Sequence, residues 1–232
     1  TYTSNLALGR PTNSTMIDYY GIPSRAVDGN TGGNYANGSV THTSTIATLY
    51  TSLEDAISGI IQDSIAGDPV NYPAWQVELK EDSPVTEVTL FNRTDCCSDR
   101  LSNFNVYTLD ENQGLVEKQF FSGTVGKRQT IKFSGKNARF VRIQLTSNNN
   151  LSLAEVVVKA NLAQGRLATQ SSTAYDGNPQ RAVDGQTNGN WGSSSVTHTD
   201  NKINGVAAPQ WWKVQLDKTS AVGEVVVWNR TD

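Results

Sequence analysis

Residues 92 to 100 read Asn-Arg-Thr-Asp-Cys-Cys-Ser-Asp-Arg and gather the rarest chemistry in the chain. The only two cysteines, Cys96 and Cys97, are adjacent and lie between Arg93 and Arg100, with Asp95 close to the first arginine. The only two histidines, His42 and His198, sit in two copies of Ser-Val-Thr-His-Thr. A guanidinium is a rigid, permanently charged fork of N–H donors. A neutral imidazole gives one hydrogen bond and takes another. Adjacent cysteines admit two readings, a pair of neighbouring thiols or a disulfide that closes a small ring. Alpha carbons across a trans peptide are about 3.8 Å apart, below the usual range of about 4.4 to 6.8 Å for bridged cysteines. Such a ring would be strained and rigid and would present an apolar S–S edge. If oxidised, it implies an extracytoplasmic life. Capable residues concentrated in two motifs belong to a site more than to a core.

Catalysis is not expected of this site. The chain pairs no nucleophile with a base, and no two carboxylates, in a plausible context. Other classes are excluded by bulk properties. Basic and acidic residues number 19 and 22, for a net charge of −3. No basic stripe exists, which argues against binding driven by nucleic-acid phosphates. No apolar run is long enough for insertion into a membrane. At 232 residues the chain can build one or two domains with real cores. It is rich in Gly, Asn, Ser and Thr, which suits short strands with many turns.

An internal repeat organises the elements that must hold the site. Asn5-Leu6-Ala7 recurs as Asn161-Leu162-Ala163, Arg25 to Gly29 as Arg181 to Gly185, and Ser39 to Thr43 as Ser195 to Thr199, all at one offset. Trp75 to Leu79 then matches Trp212 to Leu216, and Asn92 to Asp95 matches Asn229 to Asp232, at a shorter offset. The first repeat is therefore complete over 1–160, and 161–232 is the N-terminal half of a second. Period-two alternation marks strands around Val77 and Leu79, Val88 and Leu90, Ile131, and Val141 to Leu145. Each is expected to bury one face and show the other to solvent, as in an all-β sandwich or jelly roll. The excess length between Thr43 and Trp75 holds apolar residues at helical spacing, which predicts a short inserted helix near 53–65.

Together these motifs resemble the F-type lectins, or fucolectins, and the related family 47 carbohydrate-binding modules. The family signature is a histidine, a spacer, and Arg-x-Asp-x4-Arg with adjacent cysteines in the last gap. Arg93 to Arg100 matches the second part, and His42 matches the histidine. The resemblance implies a jelly-roll β-sandwich of the discoidin-like kind. It also implies non-catalytic recognition of L-fucose in glycans. His42, Arg93 and Arg100 would grip the ring oxygen and hydroxyls, Asp95 would orient the arginines, and a Cys96–Cys97 disulfide would pack on the sugar. Asp95 can equally be read as a surface salt bridge. Tyr35 lies where the family has an aromatic near the methyl pocket, although an ordinary core ring is as good a reading.

The family also holds one structural calcium. Carried over, its ligands are Arg25, Asn30 and Ala154 through backbone oxygens, Asp28 by its side chain, Ser39, and Glu155. Hard oxygens in a turn suit calcium, whereas Asp28-Gly29 by itself reads as a solvated turn. The second repeat keeps His198, Arg230 and Asp232 but has no cysteines, second arginine or late glutamate. It is not expected to form a full fucose site. Its apolar strand faces would need completing, by further residues of a longer tandem protein or by another chain, including a copy in a homo-oligomer.

Two other functions fit the same chain. It could be the targeting module of an enzyme that acts on fucose-containing, even sulfated, polysaccharide. It could also be a discoidin-like adhesion domain, which would show apolar or basic loop tips in place of the His/Arg/Cys-Cys cluster. A secreted or cell-surface location follows from the resemblance. Glycosylation sequons occur at Asn13, Asn37, Asn92, Asn150 and Asn229. A glycan on Asn92 would crowd the site, so that residue is expected to be buried or left unmodified.

Overall fold

The computed structural model describes residues 5–45, 72–220 and 222–232. The helix expected near 53–65 lies outside them. The chain divides into two compact units, Thr1–Ala160 and Asn161–Asp232. No helix of the described residues is long and apolar enough to cross a membrane.

Seven strands build the described part of the first unit. They are β1 (Thr12–Ser14), β2 (Ala74–Phe91), β3 (Ser102–Leu109), β4 (Leu115–Thr124), β5 (Arg128–Lys132), β6 (Asn137–Leu145) and β7 (Glu155–Ala160). One layer runs β1-β2-β6-β3-β4 and is antiparallel throughout. In the other, β5 and β7 flank the C-terminal half of β2. Val77, Phe104, Val106, Val141 and Ile143 from the first layer share one core with Val88, Leu90, Val156 and Val158 from the second. This shared interior makes the unit a β-sandwich. Each buried side chain of this size contributes about 1.5–3 kcal/mol relative to exposure.

The two alternating runs read from sequence as separate strands are halves of β2. Trp75, Val77, Leu79 and Val85 face the core, and so do Val88 and Leu90. The inward positions change from odd to even because the β2–β7 register shifts between Val85 and Glu87. One extra residue reverses which side chains point inward. That irregularity lets one chain segment serve both layers.

The expectation of one solvated face fails on β6. Arg142 and Gln144 are buried, as are their cross-strand neighbours Gln76, Tyr107 and Asn105. The physical requirement is a partner for each buried polar group. Arg142 Nε meets it in part by donating to Gln76 Oε1 at 2.8 Å.

The second unit repeats the start of the first. Trp75 Nε1 donates to Pro23 O at 2.9 Å, and Trp212 Nε1 donates to Pro179 O at 3.0 Å. Strand β8 (Ala168–Gln170) pairs with β11 (Trp212–Val214), and β9 (Lys202–Ile203) pairs with β10 (Val206–Ala207). Val225, Val227 and Trp228, which match Val88, Leu90 and Phe91, are exposed and in no strand.

Candidate functional site

His42 is placed by a ladder of hydrogen bonds on either side of it. Thr41 N donates to Leu153 O at 2.8 Å and Thr43 N to Leu151 O at 3.1 Å. The two threonine hydroxyls accept in return from Leu153 N and Leu151 N. His42 N itself donates to Gly21 O at 2.9 Å, and Asp18 N donates to His42 O at 2.9 Å. A β-carbon at position 21 would lie 2.3 Å from His42 N, so only glycine lets the Asp18–Gly21 turn close onto the histidine.

Arg93 and Arg100 come from the loop after β2. Asn92 anchors this loop: it is buried, and its Nδ2 donates to Ser98 O and Val125 O at 2.8 and 2.9 Å. Of the two outcomes expected for Asn92, burial is the one observed. Arg93 pairs with Asp95 in a two-pronged contact, Nε to Oδ1 and Nη2 to Oδ2, both 2.9 Å. This hydrogen-bonded pairing holds the Asp95 carboxyl down at about 2. Asp95 Oδ1 also accepts from Tyr35 N at 3.1 Å, and the Arg93 guanidinium lies 4.6 Å from the Tyr35 ring centre. Tyr35 is half-buried at the site, not a core ring. Asp95 is thus more than a surface salt bridge, because it joins the arginine to the Tyr35 turn.

Cys96 and Cys97 are bonded to each other, with Cα atoms 3.8 Å apart. Cys96 is exposed, Cys97 is half-buried, and Cys97 has a left-handed φ of 55°. The following turn, Ser98–Arg100, delivers the Arg100 fork to the histidine. Arg100 Nη1 lies 3.1 Å from His42 Nε2. A guanidinium can only donate, so Nε2 is the acceptor and the neutral ring carries its proton on Nδ1. Nδ1 is buried and has no hydrogen-bond partner among the described residues. Burial, then the Arg100 charge, lowers the His42 pKa. No carboxylate among the described residues pairs with Arg100. The site therefore offers two cationic forks, one neutral acceptor and an exposed sulfur edge. Alkylation of the unreduced protein should add no label to either cysteine by intact mass, and two added labels would refute the bonded pair.

The residues expected to hold calcium lie in the 25–39 loop and at the start of β7, and among the described residues no three His, Cys, Asp or Glu side chains come together to hold a metal. Asp28 closes the turn Pro23–Val27, and its Oδ1 accepts from Asn30 N at 2.8 Å. Glu155 is buried at the start of β7 and accepts from Gly29 N and Asn5 Nδ2, each at 3.3 Å. Ser39 Oγ donates to Gly32 O and Asn34 O within the same loop. Arg25 sends its side chain elsewhere, with Nη1 donating to Val40 O at 3.1 Å, so only its backbone oxygen is available. Ala154 is buried beside Glu155. Burial, with the Asp28 charge adding to it, raises the Glu155 pKa to about 7. No lysine or arginine among the described residues forms an ion pair with either carboxylate. Glu155 is buried without a cationic partner while Asp28 is exposed; a buried carboxylate in that position is costly when charged, and a hard cation would meet that need.

Most of this geometry recurs in the second unit. Arg230 Nε donates to Asp232 Oδ1 at 2.8 Å, and Trp191 replaces Tyr35, its backbone N–H donating to Asp232 Oδ2 at 3.2 Å. Trp191 and Tyr175 each meet the His198 ring edge-on, at 5.6 and 5.3 Å. Counterparts of Cys96, Cys97 and Arg100 would fall after Asp232. Sequence reasoning passed over Tyr19, Tyr20 and Gly21, although Tyr19 and Gly21 recur as Tyr175 and Gly177 at the repeat offset.

Known proteins similar to this chain include lectins and sugar-binding modules. A family model described as a NedA-like, galactose-binding domain matches residues 56–143. Fucolectin-4 of Anguilla japonica is 30% identical over 67% of this chain and 79% of its own length. A Streptococcus pneumoniae fucose binding module is 36% identical, with a TM-score of 0.55, over 68% of this chain and 95% of its own. The lectin domain of lectinolysin complexed with Lewis B antigen is 32% identical, with a TM-score of 0.57, over 69% of this chain and 99% of its own.

Proposed function

Because this chain belongs to the F-type lectin, or fucolectin, family, we propose that its first unit binds terminal L-fucose of glycans without catalysis. The observation that carries this reading is the meeting of Arg100 and His42 at 3.1 Å beside the Arg93–Asp95 pair and the Cys96–Cys97 edge. A sugar hydroxyl is both donor and acceptor. One hydroxyl entering here accepts from Arg100 and donates to His42 Nε2, replacing their direct contact. Two Arg93 nitrogens are committed to Asp95, which leaves N–H groups on its outer edge for a neighbouring oxygen. The disulfide edge covers the apolar C–H face of the ring.

The glycans named for relatives, fucose and Lewis B antigen, support a fucosylated ligand. The bonded cysteines support a secreted or cell-surface location. A single calcium, held by Asp28, Ser39, Glu155 and backbone oxygens of Arg25, Asn30 and Ala154, would supply the missing positive charge and tie the site loop to β7. Thr1–Ala160 would then be one lectin domain, and Asn161–Asp232 repeats its N-terminal part.

Calorimetric titration of the full chain tests the reading. Methyl α-L-fucoside should bind with a Kd of about 10 µM to 1 mM, because one small ring allows few contacts. Methyl α-D-mannoside should not bind, and equal affinity for both would refute the fucose reading. The His42 pKa is lowered from 6.5, and its neutral form is the one that accepts. Affinity should therefore hold level from pH 8 to 6.5. It should fall at lower pH as the ring protonates against Arg100. Affinity that rises on acidification would contradict the acceptor role of Nε2.

A further inference from the structure

Two buried polar atoms beside the sugar site lack partners among the described residues, and each is of a kind that could satisfy the other. His42 is 3% exposed, and its Nδ1, the nitrogen that bears the ring proton, finds no acceptor. Ser152 is 1% exposed, and its Oγ is likewise unpaired. Buried polar atoms are as a rule hydrogen-bonded, and one left unpaired is costly. Nδ1–H is a donor, and a serine hydroxyl has lone pairs to accept from it.

The ladder that places His42 also sets these two residues opposite each other. Thr41 N donates to Leu153 O and Thr43 N to Leu151 O, so the two segments run antiparallel and Ser152 stands across from His42. Leu153 N and Leu151 N donate back to the Thr41 and Thr43 hydroxyls, which closes the ladder on both sides of the pair. Residues directly opposite in such a ladder share a face, with β-carbons about 4.5–5.5 Å apart. Leu151 and Leu153 belong to the core, and alternation puts Ser152 on the other face. The Thr43 backbone also favours a proton on the ring. Its carbonyl, however, already accepts from Asn150 Nδ2 at 2.7 Å.

We propose that Ser152 is a positioning residue for the sugar site: its hydroxyl accepts the Nδ1 proton of His42 and so keeps Nε2 as the acceptor that faces fucose. The inference rests on the fucose reading of that site. Arg100 can only donate, and at 3.1 Å it holds Nε2 unprotonated. A fucose hydroxyl that takes this place removes the direct contact. Nothing at Nε2 then fixes the tautomer, because a hydroxyl donates as readily as it accepts. A ring that moved its proton to Nε2 would leave that hydroxyl facing two donors, Nε2–H and Arg100. A hydrogen bond at the other ring nitrogen opposes this change. Rotation of the Ser152 side chain between staggered χ1 positions brings the hydroxyl to Nδ1.

Nitrogen NMR of the imidazole and calorimetry, both on the full chain, test this. The chain has only two histidines, so His198→Gln leaves one ring to read. At pH 8 with methyl α-L-fucoside bound, His42 should carry its proton on Nδ1. In Ser152→Ala the bound ring should become a mixture of both tautomers. Methyl fucoside should then bind about 3- to 10-fold more weakly, the scale of one neutral hydrogen bond. Ser152→Thr keeps the hydroxyl and should restore both readings. A serine that matters only for packing would shift the melting temperature of Ser152→Ala and leave its tautomer alone. Fucoside-bound wild type with the proton on Nε2, or Ser152→Ala with the wild-type tautomer, would overturn the proposal and leave fucose binding itself standing. Wild-type protein that binds no fucoside would remove the fucose reading and this inference together.

Discussion

Arg100→Ala and Arg93→Ala should each reduce fucoside binding below calorimetric detection, while the protein keeps its fold. A hydrogen bond from a charged group contributes about 1.5–3 kcal/mol, so losing one costs about 10- to 100-fold in Kd. For a ligand that begins near the weak end of measurable affinity, that loss is complete. Arg100→Ala is the cleaner test, because no carboxylate among the described residues depends on it. Arg93→Ala also frees Asp95 from its cation and the Tyr35 ring from its guanidinium. It should therefore lower the melting temperature as well, by a few degrees. Arg100→Lys keeps the charge but loses the fork, and should recover only part of the affinity. Unchanged affinity in both alanine variants would refute the site, and circular dichroism separates that outcome from unfolding.

If the proposed calcium is bound, removing it should lower the melting temperature, and more at pH 8 than at pH 5.5. A ligand that binds only the native state at a hundredfold excess over its Kd stabilises by about 2.7 kcal/mol. In a unit of this size that corresponds to a fall of about 5–10 °C on chelation. The pH dependence follows from Glu155, whose pKa is raised to about 7 by burial and then by Asp28. In the metal-free protein the fold favours protonated Glu155. That stability is fully present below the ordinary carboxylate value of 4.5 and is lost as pH rises through about 7. Calcium needs the carboxylate, so its contribution grows over the same window. Glu155→Gln should remove the response to chelator. At pH 8 without metal it should melt no lower than wild type, because it buries no charge. A melting curve unmoved by chelator, together with no metal by elemental analysis, would exclude the calcium site.

Local chemistry made much of this protein legible in its sequence. The run Arg93 to Arg100 holds both arginines, the aspartate and the cysteine pair within one loop, so spacing alone brings them together. Alternation found the strand cores at Val77, Val88 and Val141, because a half-buried strand repeats every two residues. The repeat also pairs Tyr19 and Gly21 with Tyr175 and Gly177.

Tertiary structure decided what depends on contacts distant in sequence. The histidine tautomer follows from Arg100, which reaches His42 only after the loop behind β2 folds over the Thr41–Thr43 ladder. The raised Glu155 pKa needs burial at β7 against Gly29 and Asp28, from the other end of the unit. Burial of Arg142 against Gln76 reverses the solvated face that alternation predicts, because a period of two says which side chains share a face but not whether water reaches it. The register shift after Val85 has no side-chain signature, yet it carries β2 from one layer to the other. Residue type and spacing determined which groups could bind a sugar. Only the packing of separate segments determined their protonation and their orientation.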